Sequence, residues 1–105
     1  MIQQQQGDIW IQEIESLPTG TTLKNNEERL VLAKGETHHK HQLVIDNDND
    51  AEVYEMGGST FLDVKNDCTL AHEEHAAQLI KTGIYKVGHI SEYDYHAEET
   101  KKVLD

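Results

Sequence analysis

The fold class of this chain is indicated by the stretch Ala51-Glu52-Val53-Tyr54-Glu55-Met56-Gly57-Gly58-Ser59-Thr60-Phe61-Leu62-Asp63-Val64. Two segments rich in Val, Leu, Thr and Tyr flank the pair Gly57-Gly58, and such side chains are typical of strands. A glycine pair between two apolar segments favours a tight turn. The stretch therefore predicts two strands, over 51–56 and 59–65, joined by a turn.

The rest of the chain repeats this arrangement of short apolar segments separated by Gly, Asn and Asp. It predicts further strands over 8–14, 21–24, 28–35, 41–46, 68–73 and 84–93. The run Asn47-Asp48-Asn49-Asp50 predicts the turn of a hairpin, because Asn and Asp tolerate left-handed backbone and bond to their own main chain. Many short strands predict an all-β fold, a small sandwich or barrel of the jelly-roll type.

Two segments carry a helical signal. Residues 96–104 contain good helix formers with acidic residues before basic ones, which predicts a short C-terminal helix. Residues 72–81 are ambiguous: their composition favours a helix closed by Gly83, whereas the strands on either side favour a loop or strand leading into the last strand. The length of 105 residues fits one β-rich domain over residues 1–105.

Composition excludes several classes of partner. Twenty acidic and nine basic residues give a formal net charge of −11, which repels phosphate backbones and disfavours nucleic-acid binding. No apolar stretch approaches the roughly 20 residues needed to cross a bilayer, so no membrane partner is expected. Cys68 is the only cysteine, which excludes an internal disulfide and indicates a reducing, cytoplasmic location.

Five of the seven histidines fall in two clusters, within His38-His39-Lys40-His41 and His72-Glu73-Glu74-His75. Alternate residues of a strand face the same way, so His39 and His41 can point at one site. His72 and His75 share a face of a helix but lie on opposite faces of a regular strand. If the second cluster is extended, we expect His75 to face the site ahead of His72.

These clusters predict a metal site. Histidine is the commonest side-chain metal ligand, and imidazoles mixed with carboxylates suit zinc, iron(II) or manganese. We predict a divalent transition metal bound by His39, His41 and His75, with His72 or a nearby glutamate such as Glu74 completing the set. The alternative is that the histidines are solvated groups, or hydrogen-bonded anchors for the adjacent loops.

A stripe of side chains follows one face of the last predicted strand, through Tyr85, Val87, His89 and Tyr93. Core packing is the first interpretation of this stripe, and a protein interface is its functional alternative. We expect the chain to form a homo-oligomer or to bind a protein partner.

Two resemblances follow from the motifs. Gly35, His39, His41 and Asp46 approximate the order of the first cupin motif, which implies a jelly-roll metal site. A second resemblance covers most of the chain, through Gln6-Gly7-Asp8, Gly35-Glu36 with His39-x-His41, Leu70-x-His72-Glu73-Glu74-His75, Gly83-x-Tyr85-x-Val87 and Glu92-Tyr93. This pattern is similar to a family of small, largely uncharacterised proteins of bacteria and phages. The resemblance implies no activity. If a phage carries the gene, the expected location is the virion instead of the cytoplasm.

Three functions compete at this point. The first is a metal-binding β-domain whose histidine site joins two strands. The second is a non-enzymatic structural or assembly protein, or a phage accessory protein. The third and last is a small metal-dependent, cupin-like enzyme, which needs a concave pocket beside an open metal position.

Overall fold

The computed structural model describes residues 3–34 and 40–89, and this part of the chain folds into ten strands and no helix. The strands are β1 (Gln3–Gln6), β2 (Ile9–Ile14), β3 (Thr22–Leu23), β4 (Val31–Lys34), β5 (Lys40–Val44), β6 (Ala51–Met56), β7 (Ser59–Val64), β8 (Cys68–Ala71), β9 (Gln78–Ile80) and β10 (Gly83–His89). They form a six-stranded sheet in the order β1-β2-β10-β7-β6-β3 and a four-stranded sheet in the order β4-β5-β8-β9. Every pairing is antiparallel.

The prediction of an all-β fold is confirmed. The β6–β7 hairpin forms where the sequence places it, and its two-residue turn has φ angles of 55° at Gly57 and 83° at Gly58. Positive φ at both central residues is the requirement of the type I′ turn, whose twist matches that of the paired strands. The glycine pair therefore sets the register of this hairpin.

Several finer predictions do not fit the structure. Sheets of six and four strands do not support the jelly roll, which has eight strands in two Greek keys. A helix over 72–81 is wrong: residues 72–77 form an irregular connection, and Gln78–Ile80 pairs with β8 as a strand. The predicted C-terminal helix, with Tyr93 of the tyrosine stripe, lies outside the described residues.

The connection after β5 also differs from its prediction. Residues 45–50 do not close a hairpin, because β5 lies in the four-stranded sheet and β6 in the six-stranded one. The Asp50 carboxylate accepts hydrogen bonds from the backbone N–H groups of Asp46 (3.1 Å) and Asn47 (2.9 Å). Hydrogen bonding of an Asp side chain to its own turn was expected. Here these bonds fix the connection by which the chain passes from the four-stranded sheet to the six-stranded sheet.

The core lies between the two sheets. Ile9 and Ile11 of β2 share the inward face, and Leu43 of β5 and Leu70 of β8 face them from the other sheet. Tyr85 is completely buried, and its hydroxyl donates to the backbone carbonyl of Lys81 at 2.7 Å. Tyr85 and Val87 of the predicted stripe are therefore core packing, as its first interpretation states, whereas His89 is exposed.

Strand β1 was not predicted, because glutamine has no marked preference for strands. The four glutamines pair along β2 in the register Gln3↔Gln12 to Gln6↔Ile9. Their side chains also bridge to the other sheet: Gln4 Nε2 donates to Gln78 Oε1 at 3.1 Å, and Gln78 Nε2 donates to the Gln5 carbonyl at 2.6 Å. These bonds hold the β1–β2 turn beside the connection between β8 and β9.

Within residues 3–34 and 40–89, no helix is long and apolar enough to span a membrane.

Candidate functional site

Strand pairing brings the two histidine clusters together. Gln42 of β5 pairs with Ala71 of β8, so the next position along this antiparallel register places His72 opposite His41. Directly opposed residues on neighbouring strands have their Cβ atoms about 5 Å apart. The ring centres of His41 and His72 are accordingly 4.3 Å apart, with 37° between the ring planes.

The third imidazole comes from the irregular connection after β8. The ring centre of His75 lies 4.7 Å from that of His72 and 6.4 Å from that of His41. A regular strand would send His72 and His75 to opposite faces, and a helix would not pair with β5. The irregular backbone of residues 72–77 lets both histidines meet His41.

The turn between β1 and β2 packs directly against these rings. A Cβ atom on Gly7 would lie 2.6 Å from Nε2 of His75 and 3.4 Å from Cε1 of His41. Gly7 also has a φ of 59°, a backbone conformation that residues with a Cβ rarely adopt. Glycine is therefore required here both for the turn and for the approach of His75.

His41 is held at both ring nitrogens. Its side chain is completely buried, Nδ1 lies 2.9 Å from Gln6 Oε1, and Nε2 lies 2.9 Å from Asp8 Oδ1. Both partners flank Gly7 in the β1–β2 turn. A buried imidazole of a core strand in one sheet is thus fixed by the first hairpin of the other sheet.

The Gln6 carboxamide has one possible orientation in this network. Its Nε2 donates to the backbone carbonyls of Leu70 (3.0 Å) and Ala76 (2.9 Å), which use both amide protons. Its Oε1 is therefore the atom facing His41, and Nδ1 of His41 must donate to it. Gln6 is only 2% exposed, and leaving such a buried polar group without partners would cost about 1–3 kcal/mol.

The electrostatics favour a neutral imidazole beside an ionised carboxylate. Burial lowers the pKa of His41 and the neighbouring His72 and His75 lower it further, which together outweigh the hydrogen bond to Asp8 and the charge of Asp8. Partial burial raises the pKa of Asp8, but its bonds to His41 and to backbone bring this pKa below its ordinary value. These are the protonation states in which histidine and aspartate bind metal ions.

Hydrogen bonds of Glu73 and Glu74 fix the connection after β8. Glu73 Oε1 accepts the N–H of Lys40 at 3.1 Å, which ties the connection after β8 to the first residue of β5. The backbone N–H of Glu74 donates to Nδ1 of His72 at 3.0 Å. His72 therefore uses Nδ1 as an acceptor in this connection.

The structure brings together three of the predicted site residues, namely His41, His72 and His75, and Glu74 lies in the same connection. His39 lies outside the described residues. No group of three or more His, Cys, Asp or Glu side chains among residues 3–34 and 40–89 is already arranged to hold a metal ion. Cys68 lies in the core, where burial raises the pKa of its thiol to about 11.

Analysis of the sequence missed Gln6 and Asp8 as site residues. The sequence does contain a signal, since Gln6-Gly7-Asp8 is the first motif of the family resemblance. A polar residue on each side of a glycine in a short hairpin is nevertheless ordinary for a turn. Only the packing of this hairpin against His41 distinguishes it.

The comparisons with known proteins give a family and no activity. A family model described as a domain of unknown function, DUF8820, matches residues 5–89. The match includes the β1–β2 turn and both histidine clusters. No curated protein and no solved structure matches this chain.

Proposed function

This chain belongs to the DUF8820 family, and we propose that it is a small metal-binding β-domain whose site lies between the β1–β2 turn, β5 and the β8–β9 connection. The metal is a divalent transition ion such as zinc, iron or manganese. His41, His72 and His75 bind it, and the sequence adds His39 and Glu74 as candidates for the remaining ligands.

The spacing of the three rings is the observation that supports this proposal. A metal–nitrogen bond of about 2.1 Å places the centre of a coordinated imidazole about 3.2 Å from the ion. Two rings on one ion are then about 4.5 Å apart at right angles and about 6.4 Å apart when opposite. The three measured separations are 4.3, 4.7 and 6.4 Å.

The ring centres are therefore close enough for the three rings to share one ion, whereas their nitrogens do not form a ligand set. Binding requires the rings to turn about their own side-chain bonds. His75 is exposed and can turn most easily, while His41 is fixed by Gln6 with Nε2 facing Asp8.

Metal analysis of protein purified without a histidine tag tests the proposal. We expect about one equivalent of metal per chain after incubation with Zn²⁺, Fe²⁺ or Mn²⁺ and removal of the excess. Alanine substitutions of His72 and His75 should abolish it while leaving the β-sheet circular dichroism spectrum unchanged, and His39→Ala tests the ligand outside the described residues. Absence of stoichiometric metal, with melting unaffected by any of these substitutions, would overturn the proposal.

His89→Ala is the matched control. His89 is an exposed histidine at the end of β10; its charge acts on Asp8, but none of the ring contacts between described residues joins it to the three clustered imidazoles. We expect this variant to bind metal as the unsubstituted protein does. A loss of metal in His89→Ala equal to that in His75→Ala would mean that metal binds to surface imidazoles without a defined site.

An assembly role is the second candidate, and the outer face of the four-stranded sheet supports it. Val44 and Leu79 are 54% and 53% exposed, and both pair with Thr69 from opposite sides, so they form an uncharged row. Exposed apolar rows on an acidic protein favour association. If the chain self-associates through this face, light scattering will show an oligomer. Val44→Lys and Leu79→Lys should convert this oligomer to monomer. A monomeric unsubstituted protein would count against this role.

A further inference from the structure

Trp10 lies on the face of the six-stranded sheet that points away from the core. It pairs with Gly88 of β10, whereas its neighbours Ile9 and Ile11 are buried against the other sheet. A Cβ atom on Gly88 would lie 1.9, 2.2 and 2.5 Å from three atoms of the Trp10 indole, so the ring lies across this glycine. Trp10 is nevertheless only half-buried. The ring therefore presents an aromatic surface over β10, on the side of the sheet that the core does not use.

A cavity of about 450 Å³ opens at the same end of this sheet. Small-molecule sites usually measure about 300–1,000 Å³. The next position of the β10–β7 register places Ser59 beside Gly88, and Ser59 pairs with Met56. Ser59 and Met56 both line the cavity, and so does Gly20, where an added Cβ atom would lie 3.5 Å from Sδ of Met56. The cavity therefore lies between the row that carries Trp10 and the connection from β2 to β3.

The other groups at the cavity suit a ligand that has several hydroxyl groups. Thr22 and Ser59 carry hydroxyls that donate and accept hydrogen bonds, and the carboxylate of Glu55 accepts them. The Gly57-Gly58 turn adds peptide groups that border open space, since an added Cβ atom would meet nothing within 4 Å at either glycine. A sugar ring has hydroxyl groups at its edge and C–H groups on its faces. Those C–H groups pack favourably on the electron-rich face of an aromatic ring.

Charge and size restrict the ligand further. The carboxylate of Glu55 and the net charge of −11 repel phosphates and acidic sugars. From the Trp10 ring to β3 the patch spans four strands, which is about 14 Å, and about 10 Å along the strands. This area of roughly 140 Å² is far below the approximately 800 Å² that each partner contributes to a stable protein interface. A small neutral ligand fits the patch better than a protein does.

We propose that this end of the outer face binds a neutral saccharide. One sugar ring stacks on Trp10, and its hydroxyl groups bond to Thr22, Glu55 and Ser59. The site shares no residue with the histidine cluster, so it does not depend on the proposed metal.

Tryptophan fluorescence of the full-length protein tests this proposal, because Trp10 is the only tryptophan of the chain. The probes are neutral hexasaccharides of glucose, xylose, mannose and N-acetylglucosamine, each titrated to about 10 mM because a shallow site binds weakly. We expect at least one of them to shift the Trp10 emission in a saturable way. Trigalacturonic acid, which carries negative charge, should not shift it.

Calorimetry of variants assigns the binding to this patch. Trp10→Ala should weaken binding of the active hexasaccharide by about tenfold, because it removes the stacking ring. Glu55→Ala should weaken it by about tenfold as well, because it removes a charged hydrogen-bond acceptor. Glu27→Ala is the matched control, since it removes an exposed glutamate that does not line the cavity, and it should bind as the unsubstituted protein does. Neither Trp10 nor Glu55 belongs to the core cluster, and Glu55→Ala decides the test if Trp10→Ala does not fold.

Three outcomes would overturn the proposal. The first is that no hexasaccharide changes the Trp10 emission or gives a binding heat. The second is equal affinity in Glu55→Ala and Glu27→Ala. The third is an oligomer in light scattering that Trp10→Ala converts to monomer, which would assign this face to a contact between copies of the chain.

Discussion

At the scale of single residues, the site depends on small features of the β1–β2 turn. Gly7 leaves room for His75, and its neighbours Gln6 and Asp8 contact the two nitrogens of His41. Burying a polar side chain such as His41 is unfavourable unless it is hydrogen-bonded. The turn meets that requirement, which explains how a histidine can occupy a core position.

The contact at Gly7 leads to a testable difference between two glycine variants. Gly7→Ala places a Cβ 2.6 Å from Nε2 of His75 and forces a left-handed alanine. The backbone strain alone costs about 1–2 kcal/mol, and the contact adds to it by pushing His75 away from the cluster. Because His75 is exposed and can move, most of the cost is this backbone strain, and we expect a loss of about 1–2 kcal/mol in urea unfolding together with lost metal binding.

Gly57→Ala is the matched control, since Gly57 has a similar φ of 55° and no atom within 4 Å of its added Cβ. It should show only the strain of the left-handed backbone and should bind metal normally. Metal binding by Gly7→Ala equal to that by Gly57→Ala would show that the approach of His75 to Gly7 has no part in the site.

The histidines themselves could be predicted from the sequence, whereas their partners could not. Spacing alone made His41 and the second cluster candidates for one site, and the structure does bring His41, His72 and His75 together. The choice of His75 ahead of His72 assumed a regular strand, but residues 72–77 are irregular, so both rings reach His41. Gln6 and Asp8 depend on contact between hairpins of different sheets, which no local pattern encodes.

At the scale of elements, strands rich in β-branched and aromatic residues were predictable from the sequence. Strands whose residues have weak strand preference, and which form only because a neighbouring strand pairs with them, were not. The β6–β7 hairpin combines strand-forming residues with a glycine turn, so its local preferences and its tertiary setting agree. Strands β1 and β9 lack that agreement: glutamines form β1 because β2 offers a backbone partner, and residues 78–80 pair with β8 although their composition favours a helix. Pairing overrides weak local preference in both strands.

The crossover at residues 45–50 provides a prediction about pH. Asp50 is buried, its carboxylate accepts two backbone N–H groups and the Asn66 side-chain amide, and these bonds hold its pKa below the ordinary 3.8. A carboxyl with a lowered pKa in the folded state stabilises the fold above its unfolded pKa, and this contribution is lost as pH falls through the folded pKa. We expect the urea midpoint to fall between about pH 5 and pH 2.

Asp50→Asn should lower the midpoint at pH 6 and make its fall at acid pH shallower, because an amide accepts fewer hydrogen bonds and does not titrate in this range. Asp48→Asn, in the same connection but 96% exposed, should keep the steeper acid profile. An Asp50→Asn profile parallel to that of the unsubstituted protein would contradict this role of Asp50.

At the scale of the whole molecule, the site joins the two sheets. The β1–β2 turn belongs to the six-stranded sheet, and His41, His72 and His75 belong to the four-stranded sheet and its connection. An ion bound by these histidines would therefore lie against the β1–β2 turn, beside the glutamine bonds between β1 and β9. The net charge of −11 also attracts a cation, an effect that salt weakens.

Metal binding should consequently raise the melting temperature of the whole domain. A ligand that binds only the folded state adds about 2.7 kcal/mol when its concentration is 100 times its Kd. In a domain of this size each kcal/mol moves Tm by roughly 4–8 °C, so we expect a rise of about 10–20 °C at saturating metal. His75→Ala should melt near the metal-free temperature whatever the metal concentration, and His89→Ala should show the full rise. A Tm that does not move at saturating metal would contradict binding of the ion to the folded state alone.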